Sequence, residues 1–219
     1  MEIYSTEEQQ VEAIKRWLRE NGNYVIAGIV IGLGAVYGTS LYRDHQRDVQ
    51  EQASAEFATV TSAISAKGLD ARGEVQAYID SHKGTAQAQL ASLQLAKAAA
   101  DKGDFALAEA QLKAVLASAA KDDPLTSVVR LQLARVELGA KKHDDALKTL
   151  TASAFPAAFV VQAAELEGDI LRLKGDRAAA HGAYQRAVDA AGAQVAPALR
   201  EKLLDVADAA ASSDAAPKA

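Results

Sequence analysis

The chain has no cysteine among its 219 residues. Disulfides and thiolate metal sites are therefore excluded, and the redox compartment is left open. Proline occurs only four times, at positions 124, 156, 197 and 217, a spacing that suits breaks between helices. Aromatic residues make up 5% of the chain, and alternating runs of β-branched residues are missing, so nothing reads as a strand. Nor is there an excess of one charge. The net charge is -5, and beyond residue 42 the chain carries 21 Lys+Arg against 24 Asp+Glu. That balance lacks the basic stripe that nucleic acid requires.

What is present is one long uncharged run and a great deal of alanine. Asn21 to Tyr42 contains no charged side chain. Its apolar part is long enough to cross a bilayer, which takes about 20 residues at about 1.5 Å each. Tyr24 and Tyr42 stand at its ends, where amphipathic rings favour the headgroup region. Gly28/Gly32 and Gly34/Gly38 are small-xxx-small pairs that would let a second helix approach closely. A cleaved signal peptide would have a shorter core and a small-residue cleavage site soon after it, and neither is present. The glycines also fail as a dinucleotide loop, because the third glycine of that fingerprint would fall on Tyr37.

Before the run, Ser5/Glu8 and Thr6/Gln9 have capping-box spacing. They predict a short helix with Val11, Ile14, Trp17 and Leu18 on one face, suited to the membrane interface with Trp17 at headgroup level. Asn21-Gly22-Asn23 predicts a bend between that helix and the span. Lys15, Arg16 and Arg19 flank one end of the run and Arg43 and Arg47 the other, so charge bias leaves the topology nearly open.

After the run, one helix is expected to end at Gly68 and another, Glu74 to His82, at Lys83-Gly84. A unit then recurs. Leu95-Ala96 precedes Lys102-Gly103-Asp104, followed by Ala108, Leu112 and Val115. Leu133-Ala134 precedes Lys141-Lys142-His143-Asp144, followed by Ala146 and Leu150. Gly168 and Leu171 precede Lys174-Gly175-Asp176, followed by Ala180, Tyr184 and Ala187. Turns at Gly103, Lys141 and Gly175 lie 38 and 34 residues apart, close to the tetratricopeptide period of about 34. Small residues at matched positions let the two helices of a pair approach, and the turn glycine takes the left-handed conformation that ends the first helix. The match is partial: Glu167-Gly168 replaces the usual leucine-small pair, and Lys141 replaces the turn glycine. An alanine-rich helical bundle without true repeats is the alternative. Pro197 starts a last helix with Leu199, Leu203, Val206 and Ala207 on one face, expected to cap the array.

Candidate chemistry is scarce. His45, His82, His143 and His181 are scattered without metal-ligand spacing. Asp144 and Asp122-Asp123-Pro124 read as helix-start signals. No nucleophile-elbow pattern accompanies the serines. The expectation is an all-α protein, without metal or cofactor, whose product is surface. Stacked helix pairs offer a face for a peptide or protein segment.

The opening residues Met1 to Gly22, running directly into the glycine-rich span, resemble the YfgM family of Gram-negative bacteria. The resemblance continues through Tyr42 to Gln46 and through Leu133 to Val136. It implies a single-pass inner-membrane protein that serves as an ancillary subunit of the SecYEG translocon. It further implies association with the periplasmic chaperone PpiD and help in passing exported chains to periplasmic chaperones. No catalytic residue is carried over. The expected map is a cytoplasmic amphipathic segment at 1–22 and a transmembrane helix at 23–42 surrounded by lipid. A periplasmic tetratricopeptide-like domain follows at 43–211 and a disordered tail at 212–219. Two other functions share parts of this pattern: a membrane-anchored scaffold for a different envelope machine, and a tethered hydrolase with an unrecognised site.

Overall fold

A computed structural model of the chain describes residues 3–119 and 124–214. Among them the chain is helical, with short turns and no strand. It divides into two units, residues 1–56 and 57–219. The first helix, α1 (Ile3–Lys67), contributes to both.

Within the first unit, the helix already includes Ile3, upstream of the expected caps at Ser5 and Thr6. The short helix, the bend and the span are one helical run, not three pieces. Asn21-Gly22-Asn23 stays helical, and the Asn21 side-chain amide donates to the Trp17 carbonyl at 3.1 Å. Such back-bonding keeps a polar residue inside a helix and favours curvature. The bend falls slightly later, at 48° between Gln10–Tyr24 and Ile26–Ser40. No single helix among the described residues is both long and apolar enough to cross a membrane, but these two segments together meet that requirement by length and composition. The bend thus falls at the N-terminal end of the expected span over 23–42, between Tyr24 and Ile26.

The second unit is a run of helix pairs. After α1 comes a 3-10 turn at Gly68–Ala71, then α2 (Arg72–Ser81). The pairs are α3 (Ala86–Asp101) with α4 (Phe105–Ser118), α5 (Pro124–Gly139) with α6 (His143–Thr151), and α7 (Ala157–Leu173) with α8 (Arg177–Ala191). A final helix, α9 (Pro197–Asp214), packs on α8. The tail expected from Ser212 begins instead as the last turn of α9, and residues 215–219 lie outside the described residues. From α2 to α9 each helix packs on its sequence neighbours, as in a tetratricopeptide-like array.

The three turns share one hydrogen-bond pattern. In the first, the Asp104 amide reaches the Ala99 carbonyl at 2.9 Å and the Gly103 amide reaches Ala100 at 3.0 Å. Lys142 to Glu137 (2.8 Å) and Asp176 to Leu171 (3.0 Å) repeat it. These are Schellman ends, which need one left-handed residue. Gly103 and Gly175 supply it with φ of 78° and 87°, and Lys141 adopts it with φ of 62° despite its side chain. Asp104 and Asp176 then cap the second helices by accepting from the Leu107 and Ala179 amides, each at 3.0 Å. Lys142 holds the matching position in the middle pair with no side-chain cap. Asp144 is therefore not the cap expected of it, but lies in the first turn of α6.

Among the described residues, apolar side chains gather in three clusters. The first joins Ile64, Val75 and Tyr78 to Leu95, Leu112 and Leu133. The second holds Leu131, Ala146, Leu150 and Ile170, and the third holds Ala180, Tyr184, Leu199 and Val206. The segment from Phe57 to Ile79 thus packs against the first pair and extends the array toward its N-terminal side.

Candidate interaction surface

Small residues bring the helices of each pair together, and what they leave uncovered makes the surface. Gly168 on α7 lies beneath the ring of Tyr184 on α8, where an added Cβ would stand 2.5 Å from the ring carbons. Gly139 at the end of α5 does the same for Phe105 of α4, at 2.7 Å. Leu95, Ala108, Leu112, Leu133, Ala146, Leu150, Ala180 and Tyr184 are all buried, and Leu171 is half-buried beside the third cluster. Gly103 and Gly175 are the turn residues described above. The buried side chains among these pack the array, Gly103 and Gly175 are exposed at its turns, and Leu112 also lines an open groove.

An open surface lies between α3, α4 and α5. A groove of about 430 Å³ there is lined by Leu93, Ala96, Ala100, Leu112, Val128 and Val136. Lys97 and Asp101 pair with each other at 2.6 Å on its rim. Val128 is 38% exposed, so part of this lining faces solvent. A groove of this make-up takes an apolar side chain and offers few polar groups for fixing a small molecule.

Lysines stitch successive pairs. Lys142 before α6 reaches Glu109 of α4 at 2.8 Å, and Lys174 after α7 reaches Asp144 of α6. Lys202 of α9 bridges Glu165 and Asp169 of α7, both at 2.8 Å. Hydrogen bonds from Lys113 and Lys142 hold the Glu109 carboxyl below its ordinary pKa. Burial works against the charge of Lys202, but Asp169 and Glu165 outweigh it and hold its pKa up. Asp169 also accepts from the Tyr184 hydroxyl at 2.8 Å, and burial with that carboxylate keeps the phenol protonated.

Two buried ionisable groups escaped sequence reasoning. Arg130 on α5 is 7% exposed. Its guanidinium donates to the carbonyls of Leu150 (2.9 Å) and Ser153 (2.7 Å) at the end of α6 and stacks on the Phe155 ring at 4.2 Å. Glu137 on α5 is 1% exposed. It accepts from Thr149 at 2.7 Å and stands 3.8 Å from Lys113. Burial pushes its pKa up. A charged residue at the core-facing register of an otherwise apolar helix is the signal that could have found both.

In the first unit, Gly28, Gly32, Gly34 and Gly38 have open space where a Cβ would stand. Trp17 and Tyr24 are 55% and 78% exposed, and large apolar residues around the helix share that exposure. The Tyr42 side chain lies outside the described residues. Among the described residues no three His, Asp or Glu side chains gather in a way that could hold a metal ion.

A family model described as tetratricopeptide repeat-like domain matches residues 15–208. The chain is 38% identical over 204 residues to the ancillary SecYEG translocon subunit of Escherichia coli K12, covering 93% of this chain and 96% of that one. It is 33% identical over 181 residues to the protein of the same name from Haemophilus influenzae, covering 83% and 88%. Among solved structures, a MamA RS-1 ArsTM double mutant aligns with a TM-score of 0.53 at 18% identity, covering 75% of this chain and 97% of that one, a likeness of fold alone. With its repeats in place and its relatives matched nearly end to end, the chain belongs to the family of ancillary SecYEG translocon subunits.

Proposed function

We propose that this protein is a non-enzymatic ancillary subunit of the SecYEG translocon, held in the inner membrane by the helix around residues 23–42. The observation that carries this reading is the 38% identity to a protein of that name along 96% of its length. The physical character of the helix agrees with it. Ile26, Val30, Ile31, Leu33, Val36 and Tyr37 are each more than 60% exposed, an apolar surface that a lipid or helical partner would cover. The N-terminus lies in the cytoplasm and the repeats in the periplasm. There the repeats scaffold protein contacts, with PpiD as partner, and help hand exported chains to periplasmic chaperones. The apolar groove between α3 and α5 suits such contacts.

The glycine pairs are the docking face for the channel, because packing must drive helix association where lipid supplies no hydrophobic force. Replacing Gly28 and Gly32 by leucine tests this. Recovery of the translocon with the protein in mild detergent falls if that face docks the channel, and unchanged recovery contradicts it.

A further inference from the structure

Resting on the membrane-anchored reading, we propose that the segment Gln10–Tyr24 is an anionic-lipid-binding foot. Its apolar face seats in the bilayer interface, and Lys15, Arg16 and Arg19 recognise the phosphate of anionic phospholipids. Val11, Ile14, Trp17 and Leu18 recur at three- and four-residue spacing and are 49%, 63%, 55% and 52% exposed. No described residue of the first unit covers this face. The cations lie outside that arc at helical periodicity, with Lys15 at its edge beside Val11, and all three are exposed. None of them pairs with another described residue.

The bend makes the seating possible. Ile26–Ser40 departs from Gln10–Tyr24 by 48°. Spanning helices tilt by about 20° on average and by up to about 40°. A tilt of that size in the sense of the bend brings the Gln10–Tyr24 axis within about 20° of the membrane plane. Trp17 then lies at headgroup level, where its ring is favoured. A straight continuation would instead carry Val11 and Ile14 into water.

Charge selects the lipid. Glu12 and Glu20 share the polar side, and Glu2, Glu7 and Glu8 lie farther from the span. Across Gln10–Tyr24 three cations outnumber the two carboxylates of Glu12 and Glu20, so the segment lying along the surface is net positive, and the field of an anionic surface decays within about 10 Å. The segment is therefore read by the membrane as locally basic although its outer end is acidic. A neutral bilayer would accept the apolar face and leave the cations unused.

The chain has one tryptophan, so the test needs no added label. The full-length protein is reconstituted in phosphatidylcholine vesicles containing phosphatidylglycerol, with bromine on the acyl chains of one lipid or the other at equal mole fraction. Brominated phosphatidylglycerol should quench Trp17 about twofold or more better than brominated phosphatidylcholine at low salt. High salt, or the substitutions Lys15→Gln, Arg16→Gln and Arg19→Gln together, should erase that difference while the protein stays resistant to carbonate extraction. Equal quenching by the two lipids at low salt would overturn the proposal, as would free quenching of Trp17 by aqueous iodide. Shielding of Trp17 that arises only when purified translocon is added would assign the face to a protein instead. Release of the chain by carbonate would count against the anchor itself, a separate failure.

Discussion

The ring of Tyr184 lies on the bare backbone of Gly168, with a Cβ at that position only 2.5 Å from ring carbons. Its hydroxyl is tied to Asp169 at 2.8 Å, so the ring is not free to swing away. Gly168→Ala should therefore destabilise the unit of residues 57–219 by about 1–2 kcal/mol, because overpacking outweighs the gain in helix propensity. Gly182, also on α8, has open space around it. Gly182→Ala should stabilise by about 0.5–1 kcal/mol. Urea unfolding followed by circular dichroism distinguishes the two, and equal effects would contradict the packing account.

Lys141 occupies the left-handed position that glycine fills in the sibling turns, with φ of 62°. A residue with a Cβ loses about 1 kcal/mol there. Lys141→Gly should raise stability by about that amount. Lys142→Asp should gain less than a cap usually gives, since Lys142 also holds Glu109 at 2.8 Å. Both are read as shifts in the urea midpoint.

Arg130 closes the end of α6 with a planar fork and rests on Phe155. A lysine reproduces the charge but neither the fork nor the stacking. Arg130→Lys should therefore cost about 2 kcal/mol and Arg130→Met about 3 kcal/mol, the carbonyls being left without donors. Hydrogen exchange should rise first in the α6 end and in the Ser153–Phe155 link. Uniform exchange across the array would contradict this placement.

Glu137 carries a pH signature. Its folded pKa is raised by burial above that of the unfolded carboxylate. Below both values the group is neutral in either state and costs nothing. As pH rises through the folded value the buried charge opposes folding. Glu137→Gln should therefore be more stable than the parent at pH 8, with the advantage shrinking as pH falls into the carboxylate range. Glu109, whose lowered pKa acts in the opposite sense and whose stabilisation is lost on acidification, is present in both proteins, so comparing them at each pH removes its contribution except for its coupling to Glu137. An advantage constant with pH would contradict the assignment.

How much of this was legible in the sequence depends on the range of the interaction. The turns at Gly103, Lys141 and Gly175 and the buried rows around Leu95, Leu133 and Tyr184 follow local periodicity, so pattern alone located them. Gly168 was visible as a break from the repeat pattern, but only the position of Tyr184 across the pair explains it. The bend showed as Asn21-Gly22-Asn23, yet helical hydrogen bonding carried the chain past those residues before it turned. Asp144 looked like a cap because its partner Lys174 lies 30 residues away. Arg130, Glu137 and Lys202 were missed for the same reason, since their partners come from other helices. The groove between α3 and α5 has no sequence signature, being the space left when matched small residues set the helix spacing.

The central claim is membership of the translocon assembly through the anchor. In-cell photocrosslinking from positions along Ile26–Ser40 and along the exposed faces of α3 and α5, read by mass spectrometry, tests it most directly. The account predicts adducts to SecY from the glycine face of the anchor and to PpiD from the repeats. Reproducible adducts to a different envelope machine from the same positions, with none to either protein, would contradict it.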